Sequence, residues 1–87
     1  MSRDKAVAEA EEIIAALGTP NGDEFVLLSD RTIEVDGGWV FFYNSKAFIE
    51  TGDVKYALAG NGPIFIDRNG GVHHLPSATP WEIAIKA

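Results

Sequence analysis

The chain has no cysteine, one methionine and only two histidines among its 87 residues. Without thiols there is no disulfide framework, no thiolate metal site and no cysteine nucleophile, so the core must hold by packing alone. Basic residues are scarce as well: seven Lys and Arg stand against 13 Asp and Glu, a formal net charge of −6. Such a balance repels a phosphate backbone instead of releasing its counterions, which argues against direct nucleic-acid binding. No apolar run approaches the roughly 20 residues that span a bilayer. The N-terminal stretch, with Arg3, Asp4, Lys5, Glu9, Glu11 and Glu12, lacks the uninterrupted apolar segment of an export signal. The expectation is a cytoplasmic chain that makes no membrane contact.

What is present is an ordinary globular composition, 46% apolar and 23% charged. Residues 1–87 make a single domain that buries roughly 63% of its unfolded surface, enough for a modest core. The negative charge is unevenly placed. Residues 1–22 set Arg3 and Lys5 against Asp4, Glu9, Glu11 and Glu12, and residues 23–36 set Arg31 against Asp23, Glu24, Asp30, Glu34 and Asp36. From Gly37 onward, Lys46, Lys55, Arg68 and Lys86 balance Glu50, Asp53, Asp67 and Glu82. All of the excess acid therefore precedes Gly37.

Ala6, Val7, Ala10, Ile13, Ile14 and Leu17 recur at helical spacing and predict an amphipathic helix over residues 3–17. Ser2 is its N-cap, and Gly18 followed by Pro20 its stop. Phe25, Leu27, Ile33 and Val35 share parity, so residues 24–36 read as one strand bulged near Ser29 and Asp30, or as two short ones; the bulged strand is the expectation. After Asp36-Gly37-Gly38 a second strand points Trp39, Phe41 and Tyr43 one way, and Val40 and Phe42 the other. A long crossover follows, with Ser45 and Asp53 as caps for single helical turns. Residues 63–67 and 72–75 form a hairpin around Asn69-Gly70. Thr79-Pro80-Trp81-Glu82 reads as a capping box with proline at the first helical position. The expected fold is α+β: an N-terminal helix on a four-stranded antiparallel sheet, with a short C-terminal helix.

No motif for catalysis or cofactor binding emerges, and the expectation is a non-enzyme without cofactor or metal. His73 and His74 are neighbours on a strand, project to opposite faces and cannot chelate one ion. Gly60-Asn61-Gly62-Pro63 precedes a strand, where a phosphate-binding loop would follow one and open a helix. A hydrolase using Asp67 and His73 is a third reading, to be excluded by turnover assays. The row Trp39, Phe41 and Tyr43 reads either as core or as a partner surface. If Val40 and Phe42 meet the helix, the row needs a second layer, which Glu34 and Asp36 would rim with negative charge.

Gly38-Trp39-Val40-Phe41-Phe42-Tyr43-Asn44-Ser45, then Thr51-Gly52-Asp53, then Ala59-Gly60-Asn61-Gly62-Pro63-Ile64, Asp67, Pro80 and Glu82 form an ordered series. This series resembles the immunity protein 35 family of bacterial polymorphic toxin systems. The resemblance implies a small α+β domain that binds and neutralises a cognate toxin protein, a papain-like peptidase among the toxins associated with it, by steric occlusion. On that reading the partner-binding residues are Trp39, Phe41, Tyr43, Glu34, Asp36 and Asn61. The alternative is a chaperone-like or homodimer-forming interaction module that uses the same apolar face.

Overall fold

The computed structural model describes residues 1–58 and 62–86. Helix α1 (Arg3–Gly18) leads into a 3-10 turn (Thr19–Asn21) and strand β1 (Phe25–Leu27). Strand β2 (Ile33–Val35), strand β3 (Gly38–Phe41) and strand β4 (Tyr43–Ser45) follow, then the short helix α2 (Lys46–Thr51) and a 3-10 turn (Val54–Tyr56). Strands β5 (Ile64–Asp67) and β6 (Val72–His74) precede a one-turn helix, α3 (Trp81–Ala84). The larger sheet is antiparallel in the order β2-β3-β5-β6, and β1 pairs with β4 in a separate ribbon. The expected α+β architecture is the one observed.

The helix forms where the apolar stripe places it. Ser2 accepts a hydrogen bond from the Lys5 N–H at 3.3 Å, and Ala6, Ala10 and Ile14 are fully buried. Gly18 does not end the winding. The chain tightens through Thr19–Asn21, and Gly22, at φ 73°, closes it in the left-handed conformation.

Residues 24–36 are two strands, which corrects the expectation of one bulged strand. Leu27 lies opposite Tyr43, whereas Ile33 lies opposite Val40. The three residues of a 3-10 turn, Ser29–Arg31, take up the change of register. The ladder does not lapse between them, because the Leu28 N–H donates to the Phe42 carbonyl at 2.8 Å. A full turn of 3-10 backbone achieves what a bulge would have done, and it bends the ribbon away from the sheet.

The β5–β6 hairpin forms as expected, with Phe65 opposite His73. Its loop is Arg68-Asn69-Gly70, one residue longer than a two-residue turn. The Gly70 N–H donates to the Asp67 carbonyl at 3.0 Å, and the Asp67 N–H to the Gly71 carbonyl at 2.9 Å. Ser45 and Asp53 cap the crossover turns as expected, through Phe48 N–H at 3.1 Å and Lys55 N–H at 3.0 Å. At α3 the expectation fails in detail. Pro80 is itself the N-cap, Thr79 makes no capping bond, and the helix starts one residue later than the capping box implies.

Two apolar layers sandwich the sheet. On one side Trp39, Phe41, Ile64 and Ile66 pack under Ala6, Ala10 and Ile14 of α1. On the other, Val40 and Phe65 meet Leu75, with Trp81, Ala84 and Ile85 packed on them. Of the two readings left open for this strand, the structure takes the one in which Trp39 and Phe41, and not Val40, face the long helix. Small residues on α1 leave room for the bulky row, and the large Trp81 fills the space above small Val40, so volumes match across both interfaces.

Candidate functional site

The β2–β3 hairpin carries most of the residues singled out from the sequence. Its strands hold Glu34 opposite Trp39, and therefore on the same face of the sheet. Trp39 is 2% exposed and Phe41 0%, so these two rings are the centre of the α1 layer and offer a partner no surface. The reading that gave them to a partner is corrected in favour of core packing. Tyr43 is half-buried and lies against Phe25, the ring centroids 6.0 Å apart. Asn61 lies outside the described residues.

Glu34 and Asp36 are exposed, but their situations differ. Glu34 is engaged by Arg68, which reaches over from the β5–β6 loop: Nη2 donates to Glu34 Oε2 and to the Val35 carbonyl, both at 2.9 Å, and Nε to the Asp36 carbonyl at 2.8 Å. The guanidinium sits 4.7 Å above the centre of the Trp39 ring. Arg68 thus closes the end of the α1 layer by stacking on Trp39 and binding the hairpin backbone, an arrangement suited to a planar, always charged group. Sequence reasoning missed it, because nothing in a hairpin loop marks a side chain that crosses to another hairpin.

Five acids lie in one stretch of the chain, residues 23–36, which holds β1 and the edge strand β2. Asp23, Glu24, Asp30, Glu34 and Asp36 are all exposed. Glu24 pairs with Lys46 at 3.4 Å and Glu34 with Arg68. Asp23, Asp30 and Asp36 make no ion pair among the described residues. Among the described residues β2 pairs only with β3, so its outer edge carries open backbone, and exposed charge keeps such an edge from pairing with another chain.

The structure does bring Asp67 and His73 together. Asp67 Oδ1 accepts from the N–H groups of Asn69 at 2.9 Å and Gly71 at 2.8 Å, and Oδ2 lies 3.0 Å from His73 Nε2. The bond to His73, and after it that from Gly71, holds the Asp67 carboxyl below its ordinary value of 3.8. These are the contacts of a carboxylate that shapes a tight turn. His73 and His74 are both exposed. Among the described residues no three His, Asp or Glu side chains are grouped so as to hold a metal ion, and no helix is long and apolar enough to cross a membrane.

Two glycines of the ordered series, Gly38 and Gly62, are structural. Gly38, at φ 153°, passes so close to the Ile66 carbonyl that a Cβ would collide with it, and a Cβ on Gly62 would overlap the Leu75 carbonyl. In both places one backbone approaches another where only glycine fits.

Fold and surface together define a small α+β domain whose most prominent charged feature is an exposed acidic stretch. The chain belongs to the immunity protein 35 family, whose model matches residues 4–86. Over 46 residues it is 46% identical to the Escherichia coli (strain K12) protein printed as "Uncharacterized protein YrhB". The match takes in 52% of this chain and 49% of that protein, so it spans about half the length of that relative. No solved structure matches the chain significantly.

Proposed function

We propose that this chain binds a cognate toxin domain and neutralises it by steric occlusion, with the acidic stretch as the surface that steers a basic partner into place. Family membership supplies the class of function. The observation that carries the rest is that Asp23, Asp30 and Asp36 are exposed within one short stretch of the chain and make no ion pair among the described residues, while the charge balances from Gly37 onward. Uncompensated like charges on one side raise the rate of encounter with a partner of opposite sign. A papain-like peptidase is a fitting target class: an inhibitor of such an enzyme needs only to cover its cleft, with no chemistry of its own. Tyr43 and the Gly60–Pro63 loop with Asn61 complete the proposed contact set, from which Trp39 and Phe41 are dropped.

The direct test is to mix the purified chain with the protein encoded beside it and follow both complex formation and the partner's activity. A complex of one chain to one toxin domain with activity abolished at equivalence supports the proposal. Weak suppression of aggregation across unrelated client proteins, without a cognate complex, favours the chaperone-like module instead.

A further inference from the structure

The sheet face opposite α1 is roofed by one helical turn, and that roof is shorter than its floor. Trp81, Ala84 and Ile85 cover Val40 and Phe65, but between α3 and the β2–β3 hairpin a groove of about 380 Å³ stays open. Val35, Phe65, Trp81 and Ile85 form its apolar walls, with Gly37 at one end. Asp36, Glu82 and Lys86 stand at its rim, two carboxylates to one ammonium, and all three are exposed.

We propose that this groove takes an apolar side chain of the partner that is flanked by lysine or arginine. The inference rests on the immunity reading and says where, and by what chemistry, the toxin domain is held. An apolar slot with an aromatic wall is the kind of pocket that receives the anchoring residue of an interface. The sign of the flanking charge follows from the rim, where Asp36 and Glu82 outnumber Lys86. A second copy of this chain is the poorer occupant: it carries a net charge of −6 and would bring the same acidic rim against itself.

The full-length, ¹⁵N-labelled chain is titrated with a blocked pentapeptide, a central leucine between pairs of lysines, and separately with the same peptide carrying glutamates for lysines. The lysine peptide is expected to move the amide signals of Asp36, Gly37, Phe65 and Ile85 and the indole N–H of Trp81, and to leave that of Trp39 in place. Asp36→Lys with Glu82→Lys should raise the half-saturating concentration by about five- to tenfold, as befits exposed pairs. Gly37→Leu is the second variant. A Cβ there would meet only Phe65 Cζ, at 3.5 Å, an ordinary contact with the groove wall, and the residue is outside the left-handed region, so the backbone accepts a side chain at this position. The variant should keep the melting temperature and abolish the shifts.

No movement of the groove signals, equal response to both peptides, or undiminished binding by Gly37→Leu overturns the proposal. So do concentration-dependent shifts at the same residues without peptide, which would assign the groove to a second copy. The titration needs no toxin, so the two ideas fail separately. Protection of cells without peptide binding discards the groove alone, and peptide binding without protection discards the immunity reading and leaves the groove standing.

Discussion

Trp39 shows how much one side chain holds. Its ring is sealed between α1 and the Arg68 guanidinium, so truncation leaves a large cavity that packed neighbours close only in part. Trp39→Ala should cost about 3–5 kcal/mol in urea unfolding. An unchanged midpoint with weakened toxin binding would return the ring to the interface. Asp67 works through hydrogen bonds instead. Its carboxyl is held below the ordinary 3.8, first by His73 and then by Gly71, so the folded state favours the ionised form. The stabilisation is therefore full above the unfolded value and is lost as pH falls through the folded one. Melting temperature measured from pH 6 down to pH 2 should fall further below about pH 4 for the native chain than for Asp67→Asn. Parallel curves would contradict this.

The short elements depend on single polar groups. Among the described residues Ser45 is the one polar residue in the buried set, at 9% exposure. Its hydroxyl accepts from Phe48 N–H, donates to the Tyr56 carbonyl, and so joins β4, α2 and the following turn. Ser45→Ala should cost about 1–2 kcal/mol, with faster amide exchange at Phe48 while the α1 amides keep their protection. Uniform loss across the chain would mean that the crossover does not open on its own. Most elements were legible because each rests on local signals: the 3.6-residue stripe of α1, the caps at Ser2, Ser45 and Asp53, the turn at Asp36-Gly37-Gly38 before β3, and the Asn69-Gly70 turn between β5 and β6. The Ser29–Arg31 turn was not legible. Shared parity of Phe25, Leu27, Ile33 and Val35 is equally compatible with one ladder or two, and only the partner strand fixes the register.

At the scale of the molecule, alternation revealed which residues share a face but not which layer covers that face. This is why the aromatic row was offered to a partner while α1 lay over it. Of the site residues read from the sequence, Glu34 and Asp36 are indeed at the surface, yet the structure divides them, since Arg68 uses Glu34 as a strut. The groove beneath α3 was hidden for a similar reason: Trp81, Ala84 and Ile85 have helical spacing, but how far one turn reaches across a sheet is a property of the assembled fold. Charge, by contrast, is additive and could be read directly. Asp23→Lys with Asp30→Lys lies away from both the Arg68 strut and the groove, so it probes steering alone. Association with the toxin domain should slow by roughly tenfold at low salt and lose most of its salt dependence, with little change in melting temperature. Unaltered association kinetics would remove the acidic stretch from the account.

The central claim is that this chain protects a cell from a toxin, and the measurement that tests it most directly is growth. The open reading frame adjacent to the gene is induced in a test host with this chain and without it. The account predicts arrest without the chain and normal growth with it. Arrest that the native chain leaves untouched would contradict the account.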